Sequence, residues 1–128
     1  MTDGLMVIYN QLRTNELIVS LCEDRIKFYE YPETGDTSKP FIVIDPLIPP
    51  FPTVYASNEN HAYKYLYQID VESTERITVK KIQAEIRKEL KKLGFGQLKD
   101  EGLDEYFKET KRFVDARRYQ GLIKEEVL

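Results

Sequence analysis

The chain predicts an α+β protein, a mostly antiparallel sheet with helices packed against it. Three observations carry that expectation. Residues 61–72 alternate with the two-residue period of a half-buried strand. Residues 75–93 carry an apolar stripe at helical spacing. The elements follow the order helices, two strands, a third strand, one dominant helix and final strands, a mixture that suits an antiparallel sheet covered on one side. A length of 128 residues fits one domain with one two-layer core.

Asp3 can cap a first helix in which Leu5, Ile8, Tyr9 and Leu12 share a face. Thr14-Asn15 interrupts it, and Asn15 can cap a second short helix through Leu17, Ile18, Leu21 and Cys22. Ile26 to Tyr31 reads as a strand ended by Pro32. Glu33 to Lys39 is a polar turn containing Gly35-Asp36. Pro40 then opens a strand, Phe41-Ile42-Val43-Ile44-Asp45, whose continuous apolar run fits a strand covered on both faces.

Residues 46–60 differ in composition. Pro46, Pro49, Pro50 and Pro52 sit among Leu47, Ile48, Phe51, Val54 and Tyr55. Proline fixes φ and removes a donor, so neither a helix nor an inner strand fits. The segment reads as a long loop, either an arm on a neighbouring subunit or a loop lying on its own domain. In the strand that follows, His61, Tyr63, Tyr65, Tyr67, Ile69 and Val71 share one face. Ala62, Lys64, Leu66, Gln68, Asp70 and Glu72 share the other. A tyrosine-rich face is apolar in body and polar at its tips, which suits a core opening onto a protein contact.

Ser73 or Thr74 can cap the main helix, whose stripe is Val79, Ile82, Ile86, Leu90 and Leu93. Gly94 stands where a left-handed cap belongs, behind lysines that favour the helix dipole. Phe95 to Gly102 reads as a loop, and residues 104–123 as two strands or one long bent strand. The tail from Lys124 to Leu128 is expected to fray.

Composition narrows the function classes. A net charge of −3 argues against a general nucleic-acid binder, since phosphate binding wants a basic surface. Met1-Thr2-Asp3-Gly4 lacks a basic leader, so no signal peptide is expected. No apolar run approaches the ~18 residues of a membrane span. One cysteine, Cys22, forms no internal disulfide, and its place on an apolar helix side makes it a buried structural thiol. The lone histidine, His61, lies beside Asn58, Glu59 and Asn60 and reads as a surface residue. No His/Cys spacing suits a metal, and no glycine-rich phosphate loop is present. Asp100, Glu101, Asp104 and Glu105 form an acidic cluster, read as a solvated loop, with cation binding as the alternative. Arg87, Lys88, Lys91 and Lys92 read as the solvated face of the main helix. Lys111, Arg112, Arg117 and Arg118 lie on the last strands, where arginines can clamp a neighbour's carboxylates.

The string Tyr65-Leu66-Tyr67-Gln68-Ile69-Asp70-Val71, the helix end Leu93-Gly94-Phe95, and the closing strings Thr110-Lys111-Arg112-Phe113 and Ala116-Arg117-Arg118-Tyr119-Gln120-Gly121 carry a resemblance. With the element order, they make the chain from about Leu5 to Leu122 resemble the tail-completion and tail-terminator proteins of long-tailed bacteriophages and prophages. The resemblance implies an α+β fold and a hexameric homo-oligomeric ring without catalysis, cofactor or metal. It implies the tail tube protein and a neck or head-completion protein as partners, with nucleic acid only passing through the ring. It implies residence in the virion after synthesis in the host cytoplasm. Under it, Phe51, Tyr55, Tyr63, Tyr65 and Tyr67 are the expected ring contacts, and Arg112, Arg117 and Arg118 the polar ones. The proline-rich segment has no place in the family pattern. Alternatives are a head-closure neck protein, a single-stranded nucleic-acid module stacking bases on Tyr63, Tyr65 and Tyr67, and a small hydrolase built on the acidic cluster.

Overall fold

A computed structural model describes residues 2–54 and 61–125. Two short helices open the chain, α1 (Gly4–Leu12) and α2 (Glu16–Cys22). The Asp3 carboxylate accepts from the Met6 N–H at 3.3 Å, and the Asn15 side chain accepts from the Ile18 N–H at 3.1 Å, so each helix is capped as its sequence suggests. Strands β1 (Ile26–Phe28), β2 (Phe41–Pro46), β3 (Phe51–Val54) and β4 (His61–Ser73) follow. Helix α3 (Arg76–Lys92) leads into β5 (Phe95–Phe107) and β6 (Arg112–Glu125).

The sheet has the order β1-β2-β4-β6-β5, with β3 added beside the first half of β4. The β1–β2 pair is parallel and every other pair is antiparallel, which is the expected α+β architecture. Register fixes the faces. Tyr67 lies opposite Tyr119, and Ile69 lies between Ile44 and Arg117. All these positions point to the side on which the helices pack. Helix α3 lies on β4, β5 and β6, and α1 and α2 lie against α3.

The α3 stripe is buried as its spacing requires: Val79, Ile82, Ile86 and Leu90 are at most 1% exposed. Burial of each stabilises by roughly 1.5–3 kcal/mol. They meet Ile8, Leu12, Ile18, Ile42, Ile44, Ile69 and Val71 in one core. Tyr119, Gln83 and the sheet backbone add a buried polar link. The Tyr119 hydroxyl donates to Gln83 Oε1 at 3.1 Å, and Gln83 Nε2 donates to the carbonyls of Ile69 and Asp115, each at 2.8 Å. Arg25, 8% exposed, holds the β1–β2 corner by donating to the carbonyls of Pro40 and Leu21 and to Glu23.

Several boundaries differ from the sequence expectation. The first strand stops at Phe28 because Tyr29 turns left-handed, at φ +70°. The proline-rich segment is not all loop: Phe51–Val54 pairs with β4, and Pro52 is tolerated because, among the described residues, β3 has no neighbour beyond β4. Helix α3 starts at Arg76 with Glu75 at the cap position, and Ser73 Oγ instead accepts from the Glu75 N–H at 3.2 Å. Gly94 takes the expected left-handed conformation, at φ +85°. Residues 95–102 are strand, not loop. A register shift between Gln97 and Gly102 disguises the alternation, with Asp100 at φ +58° and Gly102 at φ +129° inside it. Lys124 and Glu125 pair with Ala62 and His61 at the end of β6, and residues 126–128 lie outside the described residues. Among the described residues, no helix is long and apolar enough to cross a membrane.

Candidate functional site

The tyrosine face of β4 is interior for most of its length. Tyr65 and Tyr67 are 3% and 4% exposed. Their rings stack with centroids 5.9 Å apart, and Tyr67 stacks in turn on Phe95 at 6.2 Å. The Tyr65 hydroxyl donates to the Thr2 carbonyl at 2.8 Å, so the start of α1 is tied over these rings. Gly4 makes the close approach possible, since a Cβ there would collide with the Tyr67 hydroxyl and the Tyr65 ring. Burial holds the Tyr67 hydroxyl above the ordinary tyrosine range, with Tyr65, Asp3 and Tyr29 adding smaller effects. The expectation that Tyr65 and Tyr67 face a partner is therefore corrected: they are core residues. Alternation reveals a shared face but not what covers it, and here α1 and α3 do. Tyr63 is half-buried against the same core. A cavity of about 520 Å³ opens beside these rings, walled by Leu5, Tyr29, Pro46, Ile48 and Pro49.

Phe51 is 43% exposed on β3, with the Lys64 ammonium 5.9 Å from its ring centre. Tyr55 lies outside the described residues. His61 opens β4 by its backbone pairing with Val54 and Glu125.

The three arginines do not converge. Arg117 lies on the helix side, where Nε and Nη2 donate to the Asp115 carboxylate at 2.9 and 3.2 Å. Arg112 and Arg118 lie on the other side. Arg112 Nε pairs with Glu72 at 2.9 Å and its guanidinium sits 5.9 Å from the Phe41 ring. Arg118 bridges Gln68 at 3.1 Å and Glu101 at 2.9 Å. Each arginine thus holds a carboxylate of its own chain.

The acidic cluster is likewise spoken for in part. Asp104 reaches Lys80 at 2.8 Å, and Lys80 also binds the buried Asp115 carboxylate at 2.6 Å. Among the described residues, no group of three or more His, Cys, Asp or Glu side chains is placed to hold a metal ion. Cys22 is fully buried, and burial pushes its thiol up to about 12, far from a reactive thiolate.

Sequence reasoning passed over the exposed apolar residues of the β5–β6 hairpin. Leu103, Phe107 and Leu122 are 40%, 36% and 46% exposed on the helix-free side. Tyr106, 47% exposed, rests on Phe113 on the other side with ring centres 4.7 Å apart. The signal was present in Leu103-Asp104-Glu105-Tyr106-Phe107, where large apolar residues interrupt an acidic run. Beyond them β5 is an outer strand of 13 residues whose far edge pairs with nothing in the described chain.

No protein-family model and no curated protein sequence matches this chain. Among solved structures, a chain described as "Virion of native gene transfer agent (GTA) particle" is similar to it. The superposition has a TM-score of 0.62 and covers 92% of each chain at 11% sequence identity. The likeness is one of fold. It extends over most of the chain.

Proposed function

We propose that this chain is a structural protein of a phage-like virion. More specifically, we read it as a tail-terminator or tail-completion protein that caps the tail tube as a homo-oligomeric ring, a hexamer, and acts by assembly without catalysis. The observation that carries the reading is the fold likeness to a virion chain over 92% of both molecules. The sequence resemblance to tail-completion proteins points the same way.

The sheet supplies a route to the ring. Its two outer sides differ: the long β5 lies on one, and the short β1 and β3 lie on the other. Unlike edges join head to tail, and head-to-tail contacts close into rings when the rotation permits. The exposed side chains available for such contacts are Phe51 on β3 and Leu103, Tyr106 and Phe107 on β5. The remaining ring surfaces would meet the tail tube protein and the neck. The single-stranded nucleic-acid reading loses its stacking platform, because Tyr65 and Tyr67 lie under α1.

The test is tube growth. A terminator added below stoichiometry to polymerising tail tubes should stop elongation and shorten the length distribution. Unchanged tube lengths at saturating protein would reject the capping role.

A further inference from the structure

The charge of this protein is unevenly distributed. Helix α3 carries seven basic residues against two acidic ones, in a chain whose net charge is −3, so the remainder is strongly acidic. At 3.6 residues per turn, the cations from Arg76 to Lys92 fall within an arc of about 160° on the side away from the sheet. The stripe is about 24 Å long at 1.5 Å per residue.

Some of these charges are neutralised. Lys80 binds Asp104 and Asp115, Lys88 binds Glu85, and Lys92 binds Glu89. The others are not: Arg76, Lys81, Arg87 and Lys91 are exposed and make no ion pair among the described residues. Glu89, which would break the positive field, is turned inward, 4% exposed and bonded to Asn15 and Gln11.

We infer that the outer face of α3 is a docking surface for double-stranded DNA, gripping phosphates without reading bases. Charge complementarity selects a polyanion. The composition of the face then separates nucleic acid from an acidic protein. Protein interfaces need a desolvated apolar centre and are poor in lysine. This face offers only Ile77 and Ala84 between its cations. Phosphate contacts need no such centre. The same face has no aromatic side chain, and single-strand binders rely on stacking, so the duplex is the occupant that fits. The inference goes beyond the capping role and does not depend on it.

Anisotropy of a short labelled DNA duplex tests it. If Arg76, Lys81, Arg87 and Lys91 each neutralise a phosphate, raising salt from 50 to 200 mM should weaken binding about 150-fold, since the slope is about −0.9 per phosphate. The variant Lys81→Glu/Arg87→Glu/Lys91→Glu should lose binding at 50 mM salt. A charge-matched variant, Lys39→Glu/Lys99→Glu/Lys108→Glu, should keep most of it. Circular dichroism of both variants establishes that they are folded. No binding by the unaltered protein at 50 mM salt would overturn the inference. So would equal losses in the two variants, which would make the effect one of net charge. Competition by polyglutamate as effective as by unlabelled duplex would assign the face to acidic protein. None of these outcomes touches tube capping, which is read separately.

Discussion

The buried Gln83–Tyr119 link offers the sharpest test of how the helix is held to the sheet. Gln83 and Tyr119 are both fully buried. Gln83 satisfies three partners at once: the Ile69 and Asp115 carbonyls and the Tyr119 hydroxyl. Replacing it by leucine keeps the volume and removes all three bonds. At about 1 kcal/mol net per bond, Gln83→Leu should cost about 3 kcal/mol. Tyr119→Phe removes one bond and leaves Gln83 Oε1 unsatisfied, which should cost about 1.5 kcal/mol. The double variant should cost about 3 kcal/mol, not the sum, because the Tyr119 hydroxyl that Gln83→Leu orphans is no longer there. Urea unfolding at pH 7 measures each value. With a slope of about 2 kcal/mol/M, the double variant's midpoint should fall about 1.5 M, against about 2.2 M for additivity. Additive losses within about 0.5 kcal/mol would show that the two side chains are not coupled, and the network account would be wrong.

Three further predictions follow from the same geometry. Gly4→Val should destabilise the fold by about 1–3 kcal/mol, read by thermal unfolding, because its side chain would enter the Tyr65 and Tyr67 rings. Hydrogen bonds from Asn15 and Gln11, with Lys92 beside them, hold the Glu89 carboxyl below the usual range. Its folded pKa is depressed, so its stabilisation is complete above the unfolded carboxylate pKa and is lost as pH falls through the folded one. Glu89→Gln should therefore lose less stability than the unaltered protein between pH 5 and 3, in paired urea titrations. Leu103→Asp with Phe107→Asp lies on exposed positions and should leave the unfolding free energy within about 0.5 kcal/mol of its original value. In the tube-growth assay the same pair should abolish capping; normal capping would remove the hairpin from the interface.

The parts of the fold legible in the sequence are those set by local periodicity and capping. Asp3, Asn15 and Gly94 marked helix ends, and the stripe from Val79 to Leu90 marked the buried side of α3. The alternation of β4 assigned its faces correctly. What failed depended on partners distant in the chain. Nothing near Tyr65 or Tyr67 announces that Gly4 will lie on their rings, so a core face read as a contact face. The first half of β5, residues 95–102, was hidden by its register shift, which breaks the two-residue period at the acidic residues. Strand β3 was hidden by prolines that exclude an inner position but not an outer one. Arg112, Arg117 and Arg118 were correctly placed on the last strand, but the carboxylates that occupy Arg112 and Arg118, Glu72 and Glu101, lie on other strands.

The capping role is tested most directly by electron microscopy of purified protein mixed with polymerised tail tubes. A ring of density with the symmetry of the tube, seated at tube ends and absent from tube walls, is the expected result. Bare tube ends at saturating protein would contradict the account.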